Sequence, residues 1–249
     1  MKPSISVVIT ALNEEGDLAS SVEDMLAILD EHFSSFEIII INDGSTDCTP
    51  QIADRFASAN PHVQVIHHQK NMGLGYSIRE GYDLATKDYV MWRSGDRGMK
   101  QESFSSMFNM IGQKELIIPY VDNPEIRSLK RRIISRLYIM TLNSLFGLKL
   151  NCYNGSVIYP TRLSRNICTS TLGFFFFAEL LILVIKGGAT YIEVPTLHEP
   201  RKHGCSKAVT LKNILEVLNK VLNLAWSIRF TKIKRISPDD KTEKFKLEK

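Results

Sequence analysis

The chain has 249 residues, 44% of them hydrophobic and 23% charged, with 31 basic against 27 acidic side chains and a formal net charge of +4. So much apolar side chain excludes a disordered chain, and the length suits one large α/β domain or two small ones, either able to bury a sizeable core. The small positive charge does not imply wholesale nucleic-acid binding, although a local cluster of Lys and Arg can still hold one phosphate.

Cysteines at 48, 152, 168 and 205 have neither CxxC spacing nor a metal-ligand rhythm, so unpaired thiols and a cytoplasmic protein are expected. The N-terminal MKPSISVVIT has too short an apolar run before Asn13, Glu14 and Glu15 to be a signal peptide. The longest apolar stretch, Phe174–Ile185, is broken by Glu179 and falls well short of the roughly 20 residues needed to cross a bilayer. No transmembrane helix is predicted.

Periodicity gives the elements in chain order. Ser4–Thr10 reads as a strand and Gly16–Phe33 as an amphipathic helix, apolar at 18, 22, 25, 26 and 29. Glu37–Ile41 is buried-strand sequence, and Thr49-Pro50 supplies an N-cap and a proline at the first helical position. Val63–His67 is a third strand, about Gly75–Ala85 a helix and Tyr89–Arg93 a fourth strand. This alternation predicts an α/β fold with a mostly parallel sheet and helices on both faces.

In such sheets ligands sit beyond the carboxyl ends of the strands. Here the first strand runs into Ala11-Leu12-Asn13-Glu14-Glu15, the second into Asn42-Asp43-Gly44-Ser45 and the fourth into Ser94-Gly95-Asp96-Arg97, so three polar turns should converge on one cleft. The second half is less regular. It holds a basic helix over about Ser128–Phe146 with Arg127, Lys130, Arg131, Arg132 and Arg136, a strand at Gly155–Tyr159, a buried helix containing Glu179 and a strand at Thr190–Pro195. Leu211–Phe230 reads as an amphipathic helix, with Lys212, Asn213, Glu216, Asn219, Lys220, Asn223 and Ser227 on its polar face. The expected organisation is a domain over 1–208, a possible membrane-surface helix over 209–230 and a charged tail over 231–249.

Six motifs in order resemble the inverting family-2 glycosyltransferases, and within them the branch of dolichyl-phosphate mannose and polyprenyl-phosphate glucose synthases. They are SVVITALNEE, EIIIINDGSTDCT, NMGLGYSIREGYDLATKDYV, the SGD at 94–96, YNGSVIYPTR, and FFFFAELL followed by IEVPTLHEPRKHGCSK. The resemblance spans roughly residues 4–210 and implies a GT-A, Rossmann-like fold. It also implies that Ala11, Asn13, Glu14, Asp43, Asn71, Gly73, Ser94 and Gly95 meet a nucleotide sugar. Taken alone, Asp-Gly-Ser is an Asx-type turn, and the Asn71-Met72-Gly73-Leu74-Gly75 stretch is tight helix packing as readily as a phosphate site.

Ser94-Gly95-Asp96 stands where the family has Asp-Ala-Asp, whose carboxylates hold Mg²⁺ or Mn²⁺ against the diphosphate. Asp96 remains as metal ligand; Ser94 offers only a neutral oxygen, and Gly98 replaces a frequent third ligand, so weaker metal binding is expected. Arg201-Lys202-His203-Gly204-Cys205-Ser206-Lys207 matches the branch's R-x-x-G-x-S-K loop. A phosphate acceptor arrives ionised and needs cations rather than a base. The resemblance therefore gives Arg201, Ser206 and Lys207 the acceptor and Asp96 the donor diphosphate. Asn151 replaces an Asp common in relatives, Glu179 is either a site organiser or a carboxylate bound to backbone, and His67, His68 and His198 read as surface or packing residues.

The implied activity is inverting transfer from a UDP- or GDP-linked sugar to a polyprenyl or dolichyl phosphate at the cytoplasmic face of a membrane. The alternatives are transfer to a hydroxyl of a surface polysaccharide or glycolipid, and a catalytically impaired nucleotide-sugar-binding homologue. A dehydrogenase is disfavoured, since no GxGxxG follows the first strand. Nucleic acid is not an expected partner, and a homo-oligomer is left open.

Overall fold

The computed structural model describes residues 3–95, 98–167, 169–173, 175–199 and 211–230. In chain order these form β1 (Ile5–Ala11), α1 (Leu18–His32), β2 (Phe36–Asn42), α2 (Thr49–Ala59), β3 (Val63–His67), α3 (Leu74–Leu84), β4 (Tyr89–Ser94), α4 (Gln101–Phe108) and β5 (Leu116–Val121). Then follow α5 (Leu129–Phe146), β6 (Tyr159–Pro160), α6 (Thr161–Asn166), α7 (Phe176–Lys186), β7 (Tyr191–Thr196) and α8 (Leu211–Phe230).

The central sheet has the order β3-β2-β1-β4-β6, parallel except for β6. The inner strands β1 and β2 are largely apolar on both faces because both are covered. Ile5, Val7, Ile9 and Ala11 of β1 pack with Leu18, Val22, Met25 and Leu29 of α1 in one core cluster. The alternate residue Val8 joins Ile78 and Tyr82 of α3 and the apolar side of α7 in the other. Complete burial of each Leu, Val or Met contributes about 1.5–3 kcal/mol, so the period-3.6 stripe of α1 commits it to this face. Gly81 lets α3 lie close on β1: a Cβ there would collide with the Val8 side chain.

A second sheet pairs β5 with β7 in parallel. Reciprocal backbone hydrogen bonds between Ile117 and Ile158 tie it to the first. The sequence reading is corrected in this half. The expected strand over 155–159 shrinks to Tyr159–Pro160, because Ile158 bonds across to β5 and Gly155 packs on Pro119. The helices α4 and α6 and the proline-containing β5 carry no clear periodic signal in the sequence, since each is short.

The helix over 211–230 has the expected bounds, but its apolar side is divided. Val221 and Leu224 are buried in the core cluster with α5 and α7, whereas Leu222 and Trp226 are exposed. The tail over 231–249 lies outside the described residues.

Candidate active site

Register places the polar turns side by side. Ala11 is opposite Asn42, Asn42 opposite His67, and Thr10 opposite Ser94. The loops after β1, β2, β3 and β4 therefore open at one sheet edge, with Ala11, Asn13, Glu14, Asp43, Asn71, Gly73, Ser94 and Gly95 all there. Asp96, Arg201, Ser206 and Lys207 lie outside the described residues.

Hydrogen bonds stitch the first two loops together. Asn13, left-handed at φ 56°, donates its N–H to Ser45 Oγ at 3.0 Å and accepts the Thr46 N–H on Oδ1 at 2.8 Å. Asn tolerates that backbone region better than most residues. Glu14 N–H donates to Thr49 Oγ1 at 2.8 Å, and the Cys48 N–H donates to Glu15 Oε2 at 2.9 Å. Asn42 Oδ1 accepts the Ser45 N–H, three residues on, at 3.1 Å, whereas Asp43, the residue of the expected Asx-type turn, directs its carboxylate to the 72–73 backbone instead. Gly44 is needed in this loop: at φ 74°, a Cβ would lie 2.5 Å from the Lys70 carbonyl carbon.

Asp43 is 4% exposed. Its Oδ1 accepts the Met72 N–H at 2.8 Å and faces His68 Nδ1 at 2.7 Å, while Oδ2 accepts the Gly73 N–H at 3.0 Å. A carboxylate has about four acceptor positions, so Asp43 shapes the 71–73 backbone and keeps one position, on Oδ2, for a ligand. His68, expected at the surface or in packing, is a buried member of this network, and its other ring nitrogen meets Glu80. The only sequence signal was its place three residues before Asn71. Gly75 packs against the Leu172 backbone, where a Cβ would clash, so close packing holds for this glycine.

At the end of β4, Ser94 is half-buried and Gly95 buried, its N–H donating to Thr10 O at 3.2 Å. A Cβ on Gly95 would lie 3.6 Å from Glu14 Cγ, so the Glu14 side chain borders the start of the Ser94-Gly95-Asp96 turn. Among the described residues no three His, Cys, Asp or Glu side chains gather as a metal cage. The hard oxygens available in sequence here, the Ser94 hydroxyl and the Asp96 carboxylate, suit Mg²⁺ or Mn²⁺ when a diphosphate supplies further oxygens.

Beyond this turn the chain is paired with the segment leading to residue 200. Lys100 N–H donates to Leu197 O at 2.9 Å, Glu199 N–H to Gly98 O at 3.2 Å, and Met99 faces His198 in an antiparallel bridge.

Glu179 and Asn151, whose roles the sequence leaves open, have definite partners. Glu179, 1% exposed, accepts the N–H groups of Ser170 at 2.7 Å and Thr171 at 3.2 Å. Burial pushes its carboxyl up, with the Ser170 hydrogen bonds working against the rise. It is thus the backbone-bound carboxylate of the two readings. Asn151 donates to Glu193, whose carboxyl is raised by burial and partly restored by those bonds.

The family model for glycosyl transferase family 2 matches residues 6–176. The chain belongs to this family. Over 236 residues it is 25% identical to the undecaprenyl-phosphate 4-deoxy-4-formamido-L-arabinose transferase of Pectobacterium carotovorum, a match covering 94% of this chain and 70% of that protein. Over 233 residues it is 23% identical to the dodecaprenyl-phosphate galacturonate synthase of Rhizobium johnstonii, covering 90% and 68%. The uncharacterized glycosyltransferase YibD of Escherichia coli is 31% identical over 112 residues, 45% of this chain; that stretch spans about a third, 31%, of YibD's length. Glucosyl-3-phosphoglycerate synthase from Mycobacterium tuberculosis, crystallised with Mg²⁺ and UDP, superposes at a TM-score of 0.66 with 17% identity, covering 90% of this chain and 80% of that one. The family-2 chain thus has the GT-A fold expected of it.

Proposed function

We propose that this family-2 chain transfers a sugar from a nucleotide sugar to a polyprenyl phosphate, inverting the anomeric carbon. The observation that carries the reading is the backbone pairing of 197–199 with 98–100. Residues 98–100 follow the Ser94-Gly95-Asp96 motif in sequence and residues 197–199 precede Arg201, so this pairing supports reading the two motifs as parts of one site. The names of the two relatives matched over nine-tenths of the chain support the acceptor class.

In this reading the donor lies across the strand ends, over the loops set by Asn13 and Asp43, with Glu14, Asn71 and Gly73 lining its place. Asp96, with the Ser94 hydroxyl, would hold Mg²⁺ or Mn²⁺, which offsets the negative charge of the leaving diphosphate. Arg201 and Lys207 hold the acceptor phosphate in line and Ser206 adds a hydrogen bond. A phosphate oxygen forms the bond to the anomeric carbon as the bond to the diphosphate oxygen breaks; the acceptor is already ionised, so no base takes a proton.

In this reading the protein works at a membrane surface, because a polyprenyl acceptor stays in the bilayer, and we assign it to the cytoplasmic face. Among the described residues no helix is long and apolar enough to cross a membrane. The surface that fits a bilayer is α5: Leu129, Ile133, Leu137 and Met140 are 49–67% exposed, and α8, which packs on α5, exposes Leu222 and Trp226. Helix α5 carries Lys130, Arg131, Arg132 and Arg136 and no acidic residue, each cation contributing about 1 kcal/mol near an anionic leaflet.

The test incubates UDP-, GDP- and TDP-sugars with polyprenyl phosphate and Mg²⁺ or Mn²⁺. Acid-labile labelled lipid is expected from one donor. A product stable to mild acid would instead mark a hydroxyl acceptor.

A further inference from the structure

His68 lies just beyond β3 with its side chain 7% exposed, and both ring nitrogens meet carboxylates: Nδ1 to Asp43 Oδ1 at 2.7 Å and Nε2 to Glu80 Oε2 at 2.6 Å. Tyr76 presents its ring to the imidazole at 5.5 Å, nearly edge-on. Asp43 from the end of β2, with Glu80 and Tyr76 from α3, are the ionisable groups facing the ring. A neutral imidazole has one N–H and one lone pair. Against two ionised carboxylates at these distances, one contact would then set lone pair against lone pair. Asp43 already accepts the Met72 and Gly73 N–H groups, and Glu80 is partly open to solvent. The ring therefore satisfies both contacts as an imidazolium.

We propose that His68 is a positioning residue whose imidazolium ties Asp43 to Glu80 and thereby locks the 71–73 backbone, at the end of the sheet where the donor is read to bind, to α3. Asp43 is the hinge of the device, because the same carboxylate that faces the ring accepts the Met72 and Gly73 N–H groups. Burial opposes the charge on His68, but the hydrogen bonds to Asp43 and Glu80 and their negative charge outweigh it and raise the ring above the ordinary histidine value. Loss of the proton leaves one N–H for two carboxylates. Glu80, the more exposed partner, is released first, uncoupling the loop from α3.

The donor-site role rests on the function proposed above, so the experiment separates the two. Full-length protein labelled with ¹³C and ¹⁵N is titrated from pH 5.5 to 9, the His68 ring signals being identified by their loss in His68→Gln. Both ring nitrogens should be protonated at pH 7, and Gly73 amide exchange should quicken several-fold through the His68 midpoint. In Glu80→Gln that midpoint should fall by about one unit, a ten-fold change in proton affinity, and the Gly73 transition should move with it. A neutral ring at pH 7, an unmoved midpoint in Glu80→Gln, or a Gly73 amide indifferent to the titration overturns the clamp. UDP and GDP with Mn²⁺ serve as donor probes, and the affinity of the one that binds should weaken several-fold across the same midpoint. Binding that ignores the midpoint overturns the positioning role. Absence of binding by both, with the ring and Gly73 behaving as expected, supports the clamp and counts against the donor reading.

Discussion

Asn151 donates its backbone N–H to one oxygen of Glu193 at 2.7 Å and its side-chain amide to the other at 3.1 Å. An aspartate at this position would set a second carboxylate against Glu193, which burial already holds above the ordinary range. The asparagine is thus matched to its neighbour.

Asn151→Asp is expected to cost about 1–2 kcal/mol at pH 7–8 through a lost donor and like-charge repulsion. A group raised on folding contributes stability that is complete below its unfolded value and is lost as pH rises through the folded one. A second carboxylate raises Glu193 further and carries that loss to higher pH. The thermal midpoint should match wild type near pH 4 and fall several degrees below it by pH 8.

Glu179→Ala strands the N–H groups of Ser170 and Thr171 and should destabilise by about 3 kcal/mol, against about 1 kcal/mol for Glu179→Gln, which keeps an acceptor. Because burial raises Glu179 on folding, its advantage over Gln is greatest at low pH and shrinks as pH rises through its folded value. Urea titrations at pH 5 and 8 check both statements. Equal losses for Ala and Gln would contradict the backbone-anchoring role.

Gly44→Ala combines a left-handed backbone with a collision on the Lys70 carbonyl. It should cost about 1–3 kcal/mol and displace the neighbouring Asn71 loop. Amide exchange at Met72 and Gly73 reports the displacement directly.

Leu137 and Met140 are 59% and 66% exposed, so paired changes to Glu should leave the thermal midpoint within a degree or so of wild type. On anionic vesicles the same double variant should bind at least ten-fold more weakly, about 1.4 kcal/mol, and the blue shift of exposed Trp226 should diminish. Unchanged vesicle binding assigns the membrane contact to another surface.

Asp96→Ala should abolish transfer while leaving the fold intact, since Asp96 is the acidic member of its motif, and Ser94→Asp should tighten Mn²⁺ binding. Near wild-type turnover by Asp96→Ala would remove this residue from the reaction.

Local periodicity determined much of this fold. A run such as Ile38–Ile41 can satisfy its apolar side chains only in a sheet covered on both faces, and the 18, 22, 25, 29 stripe only as a docked helix. The donor-side motifs were legible for the same reason: each directly follows a strand, and parallel register delivers such residues to one edge. What tertiary structure alone decided depends on contacts remote in sequence. Asp43 reaches Gly73 and His68 meets both Asp43 and Glu80 only because β2, β3 and α3 lie side by side, which turns a histidine of no evident purpose into a bridge. Amphipathicity likewise gives a helix an apolar side without saying what covers it. Val221 and Leu224 of α8 enter the core, while Leu137 and Met140 of α5 face outward, because an apolar surface is buried by whichever element the packing brings over it.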